Sequence, residues 1–210
     1  SLSDEELKNV NIVIFHYWAT TRAYIDSIDT NSNTITFTAH AIGDNNKGIE
    51  ANKAYFYLDN LKTALTKPGE WFLSTNGELF YYPLPGETAS NIEVYASHDK
   101  RLMYIETDNL ILENIEFRHC GGNIPRTGVT REDQVPSSAT LNMKCVDVYK
   151  SSNVQFINCN FRHVFCRALS IFECTSCVVE GCLIEDFGAD GIAVGDSSNT
   201  RIYNNIIRHG

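Results

Sequence analysis

The chain has 210 residues, 43% of them hydrophobic, with 17 basic and 26 acidic side chains, a net charge of −9 and a pI near 5.1. That much apolar material can build a core, and no run approaches the ~18 uninterrupted apolar residues of a membrane span. The acidic balance argues against a phosphate-tracking nucleic-acid binder, which needs a basic field.

The chain opens on SLSDEE without a signal-peptide pattern and stops at Gly210 with a repeat still running. It is therefore expected to be an excerpt of a longer protein, with Ser1 and Leu2 a cloning remnant. From residue 8 to about 100 come seven short runs rich in β-branched and aromatic residues: VNIVIFHYW from Val10, RAYIDSID from Arg22, TITFTAH from Thr34, AYFYLD from Ala54, EWFLS from Glu70, ELFYYPL from Glu78 and IEVYAS from Ile92. Asn, Asp, Gly and Pro clusters separate them, which is turn chemistry. This spacing predicts a small antiparallel sandwich-like or barrel-like subdomain over 1–100.

The second half repeats itself. Segments NLILENIEFRHC from Asn109, NVQFINCNFRHV from Asn153, SCVVEGCLIEDF from Ser176 and NTRIYNNIIRHG from Asn199 share one pattern. Asn153, Ser176 and Asn199 are 23 residues apart, and Asn109 precedes Asn153 by 44. Such a period marks a solenoid in which each repeat buries its apolar face against the next. Within one period ALSIFE, CVVE and CLIED read as three short strands, with inward ladders Val146, Leu169, Ile192; Val148, Ile171, Val194; Phe156, Val179, Ile202; and Phe117, Phe161, Ile184, Ile207. Asn114, Asn158, Gly181 and Asn204 fill the tight turn between the second and third strands, where left-handed backbone is tolerated. The prediction over 101–210 is an all-β fold, a parallel β-helix of right-handed winding.

The CxxC at Cys174 and Cys177 raises a zinc site. Cys159 and Cys182, however, are one period apart at the same inward position, which reads as a column of small apolar side chains. No metal site or other cofactor is expected. About twenty extra residues between His119 and Asn142 form a long loop, of the kind that walls a binding site.

Candidate chemistry lies where the ladders turn outward. The third strand ends in the column His119, His163, Asp186, His209, in which a carboxylate stands among imidazoles as an acid/base centre. A capping row of polar residues is the alternative reading. At the next coil Gly191, Ala193 and Gly195 replace Ala168, Ser170 and Phe172, which predicts a groove floor flanked by Tyr149 and Phe172 as aromatic platforms and rimmed by Asp186, Asp190 and Asp196. Glu173 and Asp196, one coil apart, have the spacing of a retaining glycosidase pair, although Lys150 beside Glu173 favours a surface ion pair. Arg118, Arg162, Arg208, Lys144 and Arg167 could hold an anionic glycan or balance Glu185, Asp186 and Asp190.

The hairpin EWFLSTNGELFYYPLPGE from Glu70 resembles the "GEWYLD…GxLYYxPxPGE" hairpin of right-handed parallel β-helix glycoside hydrolases of the pectin-lyase-like superfamily, the group of α-L-fucosidases, xylanases and β-xylosidases. Tyr17, Trp18, Arg22 and the run Ile25 to Ile28 fit the β-sandwich-like insert of that family, and NIEFRH, NCNFRH and DFGADGIAVGD are similar to its coil motifs. The resemblance implies a secreted or periplasmic bacterial enzyme acting on plant-type or host glycans through groove carboxylates, without an obligatory metal. It points to Asp186 and the 188–195 segment as active-site material; Asp190 stands where the family more often has glycine. In the hydrolase reading Asp186 or Asp190 is acid/base or nucleophile, His163 and His209 tune it, and Arg167 orients the substrate, with His119, Tyr149, Phe172, Glu173 and Asp196 lining the site. The alternatives are a lyase with a Lys, Arg or His base on a uronate glycan, calcium assisting, and a non-catalytic glycan-binding β-helix.

Overall fold

A computed structural model describes residues 2–15, 20–38, 55–122 and 143–210. Tyr17, Trp18 and most of the long loop after His119 lie outside the described residues. The described chain falls into two compact units, one within residues 2–94 and the other comprising 95–122 and 143–210.

The first unit opens with a single helical turn, α1 (Asp4–Leu7), which starts at Ser3 because the Ser3 hydroxyl accepts from the Glu6 amide while the Glu6 carboxylate accepts from Ser3. An antiparallel sheet follows, in the order β3-β2-β1-β4, from β1 (Asn11–Phe15), β2 (Thr20–Asp29), β3 (Thr34–Phe37) and β4 (Tyr55–Asp59). Val10, Ile12, Ile14, Ala23 and Ile25 make its core. A separate hairpin joins β5 (Trp71–Leu73) to β6 (Leu79–Tyr81), closed by Gly77 at φ +84°. The side chain of Asn60 donates to the Asn9 and Leu73 carbonyls and accepts from the Leu73 amide, so the hairpin is tied to the sheet through amide bonding.

The two glutamates of the hairpin motif are turn staples. The Glu70 carboxylate accepts from the Thr66 and Lys67 amides at 2.7 and 2.8 Å, and these bonds hold its carboxyl below the usual carboxylate range. The Glu87 carboxylate accepts from the Leu84 amide and the Tyr81 hydroxyl. The seventh run, from Ile92, forms no strand and does not join the antiparallel sheet. From Tyr95 onward it lies along the first coil of the second unit, where the Gly121 amide donates to the Asp99 carbonyl. Extended backbone becomes a strand only where a partner edge meets it in a ladder, and here the contact is that one backbone bond and the stacking of the Tyr95 ring on His119.

The second unit stacks four coils of three strands. The first coil has β7 (Met103–Ile105), β8 (Ile111–Glu113) and β9 (Glu116–Cys120); the second β10 (Lys144–Tyr149), β11 (Gln155–Ile157) and β12 (Asn160–Val164). The third has β13 (Arg167–Phe172), β14 (Val178–Glu180) and β15 (Leu183–Phe187); the fourth β16 (Ile192–Gly195), β17 (Arg201–Tyr203) and β18 (Ile206–Arg208). First, second and third strands each form a four-stranded parallel sheet. The pairing joins Val146 to Leu169 to Ile192, Phe156 to Val179 to Ile202, and Phe117 to Phe161 to Ile184 to Ile207, as the ladders predict.

Corners are built from left-handed residues and small polar staples. Asn114, Asn158, Gly181 and Asn204 all have φ between 52° and 65°. One turn earlier, the Asn153 side-chain Nδ2 donates to Asn109 Oδ1, and the Asn199 Nδ2 to Ser176 Oγ. The buried cysteines do related work: Cys174 donates to the Phe172 carbonyl, where Ser151 and Ser197 in the same column donate to the Tyr149 and Gly195 carbonyls. Cys159 and Cys182 likewise donate to backbone carbonyls, so a thiol serves as an apolar stand-in for serine.

Candidate active site on the turn between third and first strands

The column at the end of the third strand has an unusual backbone. His119, His163, Asp186 and His209 all adopt left-handed φ, between 53° and 58°. His and Asp are among the few non-glycine residues that do so readily. The consequence is a break in alternation: Phe161 points inward, Arg162 and His163 both face out, and Val164 is buried again. Sheet pairing passes over the kinked residue, joining Arg162 to Glu185 on one side and Val164 to Phe187 on the other. Strict alternation along the strand does not foresee this, but a polar residue recurring one place before the buried Cys120 and Val164 and the half-buried Phe187 is its trace in the sequence.

The kink sets the side chains in a row. Tyr95 stacks on His119 at 4.5 Å between ring centroids, and His119 on His163 at 5.1 Å, with interplanar angles of 6° and 11°. His163 Nδ1 then meets the Asp186 carboxylate at 2.6 Å. Both members of that pair are open to solvent, the side chains being 46% and 66% exposed. Sequence reasoning missed Tyr95, whose run looked like a strand of the other unit.

His119 behaves differently. Burial first, then the Arg118 charge and His163, push its imidazole below the ordinary histidine value, and its Nε2 is buried with no hydrogen-bond partner among the described residues. The unfolded chain therefore binds this proton more readily than the folded one, so stability falls as pH drops through about 6.5 and levels off below the folded value. Urea unfolding between about pH 8 and pH 5 should show this loss, and His119→Asn, which suits the left-handed backbone, should flatten it.

Four residues beyond Asp186, the turn delivers Asp190 to Arg167, and the two form an ion pair. Gly188 makes that turn possible. Its amide donates to the Val164 carbonyl, and a Cβ built on it would lie 2.0 Å from the Phe165 carbonyl oxygen. Gly188→Ala should displace the turn, lower stability by about 1–3 kcal/mol and separate Asp186 from its partner; thermal unfolding and any glycan turnover should fall together.

The remaining predicted residues are placed as follows. Tyr149 and Phe172 stack at 6.4 Å, and the Phe172 ring also lies over Gly195, where a Cβ would come within 2.6 Å of it. The notch expected at Gly195 is thus filled by Phe172, and the aromatic pair offers a ligand its edges more than its faces. Glu173 accepts from the Tyr149 hydroxyl at 3.1 Å and lies 3.8 Å from Lys150, the surface ion pair that the sequence favours. Asp196 is exposed at φ 46°.

The basic side chains are engaged with carboxylates. Arg162 and Arg208 grip Glu185 at 2.9 and 2.7 Å, and these contacts, the Arg208 bond above all, hold the Glu185 carboxyl below its usual range. Lys144 pairs with Asp147 at 3.0 Å, and Arg101 approaches the same carboxylate at 3.7 Å. Asp147 is outward-facing yet only 5% exposed. Its place between inward Val146 and Val148 was readable from alternation, though its burial was not. The cysteines of the CxxC are both buried and free, and among the described residues no group of three or more His, Cys, Asp or Glu is placed to hold a metal ion.

Residues 144–210 match the family model described as a right handed beta helix region. The second unit is a right-handed parallel β-helix. A solved structure described as a glycoside hydrolase is similar to the chain, with a TM-score of 0.68 at 20% identity, covering 90% of this chain and 39% of that one. The chain thus spans 39% of the length of that protein, and at this identity the likeness shows the fold. No curated protein matches the sequence. No helix among the described residues is long and apolar enough to cross a membrane.

Proposed function

We propose that the β-helix belongs to a carbohydrate-active protein, a glycoside hydrolase working at the turn between the third and first strands. The observation that carries this reading is the break in the histidine column at Asp186: an exposed carboxylate, held by His163, at one end of a turn whose other end presents Asp190 on Arg167. Glycoside hydrolysis needs a unit that exchanges a proton and a carboxylate that stabilises positive charge at the sugar, and the two aspartates have surroundings that differ in this way. The fold likeness to a protein described as a glycoside hydrolase supports it.

In this reading Asp186 with His163 forms the acid/base unit. Asp190, oriented by Arg167, is the nucleophile or charge-stabilising carboxylate. Exposed edges of Tyr149 and Phe172, together with His209, contact the glycan, and the antiparallel unit is an insert carried by the β-helix. A plant-type or host polysaccharide as substrate places such a protein outside the cytoplasm, secreted or periplasmic. The test is a screen of plant and host glycans with the chain beside its Asp186→Asn and Asp190→Asn variants. New reducing ends that vanish in both variants support hydrolysis; a product with an unsaturated end would assign a lyase instead, and binding without cleavage would assign a glycan-binding module.

A further inference from the structure

Resting on the reading of this turn as the reactive site, we propose that His163 is the residue that exchanges the proton with the ligand, while Asp186 is its positioning residue. An ionised carboxylate can only accept a hydrogen bond. The 2.6 Å contact between His163 Nδ1 and Asp186 Oδ2 therefore requires the proton on Nδ1, which leaves Nε2, on the opposite edge of the ring, as the atom free to take or give one. A carboxylate that selects the tautomer and steadies the imidazolium is the arrangement general-base histidines use.

Two further features hold the ring in that pose. The left-handed backbone at both His163 and Asp186 fixes where each side chain leaves the chain. The nearly parallel His119 ring covers one face of His163 and restrains its rotation. The charged and titratable groups around His163 are Asp186 beside it, His119 stacked on it with Arg118 next to that ring, and His209 beyond Asp186 in the column. Burial lowers the proton affinity of His119, and the carboxylate in direct contact with His163 is that of Asp186.

The proton step balances without any other reactant. Neutral His163 accepts at Nε2 the proton of a water or sugar hydroxyl as that oxygen attacks. The resulting imidazolium keeps its Nδ1 proton on Asp186, and the Nε2 proton passes to the departing oxygen, restoring the neutral ring.

The tautomer can be read on the chain itself, without a substrate, from long-range proton–nitrogen correlation spectra of 15N-labelled protein at a pH where the ring is neutral. His163 is expected as the Nδ1–H form, and Asp186→Gly, which suits φ of 55°, should convert it to the Nε2–H form. A second readout is acylation by diethyl pyrocarbonate, located by peptide mapping, which should modify His163 several-fold faster in the native chain than in Asp186→Gly. An Nε2–H ring in the native protein, or equal acylation rates, would overturn the assignment whether or not the chain cleaves a glycan. Cleavage that persists in His163→Asn would overturn it as well. The glycan screen fails separately: the expected tautomer with no glycan processed would leave a carboxylate-oriented histidine and remove the hydrolase reading.

Discussion

Asp186→Asn is expected to lower hydrolysis of any glycan the chain cleaves by about 10²- to 10⁴-fold, the usual contribution of a positioned acid/base group. The substitution is chosen so that little else changes. Asn tolerates the left-handed backbone at this position and keeps the side-chain size, so the turn and the fold should survive. What it removes is the negative charge next to His163, and with it the obligation of Nδ1 to carry the proton. KM should move far less than kcat, because the lost interaction matters most when the imidazolium forms. Undiminished turnover, with circular dichroism and melting unchanged, would remove Asp186 and His163 from the mechanism. Asp190→Asn should slow the reaction as well, because it removes the second carboxylate, and by loosening Arg167 it should also raise KM.

Phe161→Ala is expected to cost about 3–5 kcal/mol of stability, the range for a deleted core aromatic. Phe161 is fully buried, stacks on Phe117 at 5.0 Å and touches Phe156 at 6.1 Å between centroids, so its loss opens a cavity where two sheets of the helix meet. Ile207 occupies the same ladder position two coils later but is 47% exposed, so Ile207→Ala should cost at most about 2 kcal/mol. Chemical denaturation of both variants checks the contrast. Equal losses would mean that Ile207 is as well covered as Phe161.

The period of 23 made the coils legible because a β-helix repeats its geometry once per turn, so each inward position recurs in register. Val146, Leu169 and Ile192 could be aligned on paper and are paired in space for that reason. The first unit was less legible. Short β-rich runs announce strands without saying which edges meet, and the run from Ile92 forms no strand, its part from Tyr95 onward belonging to the β-helix unit. Glu70 and Glu87 stood out as motif letters, but only the folded hairpin shows them capping backbone amides.

At the candidate site the division is sharper. The recurrence of His119, His163, Asp186 and His209 one coil apart was visible in the chain itself, because the spacing of 23 aligns the last three and the shared repeat pattern around His119 adds the first. Their left-handed backbone, the ring stack from Tyr95 to His163 and the choice of His163 as the partner of Asp186 came only with the tertiary structure. So did the filling of the Gly195 notch by Phe172 and the engagement of Arg162, Arg208 and Arg167 with carboxylates. A one-dimensional period dictates which residues are neighbours along the stack, since backbone hydrogen bonds hold the coils in register. It cannot dictate torsion and side-chain direction at a corner, which depend on packing from segments distant in the chain.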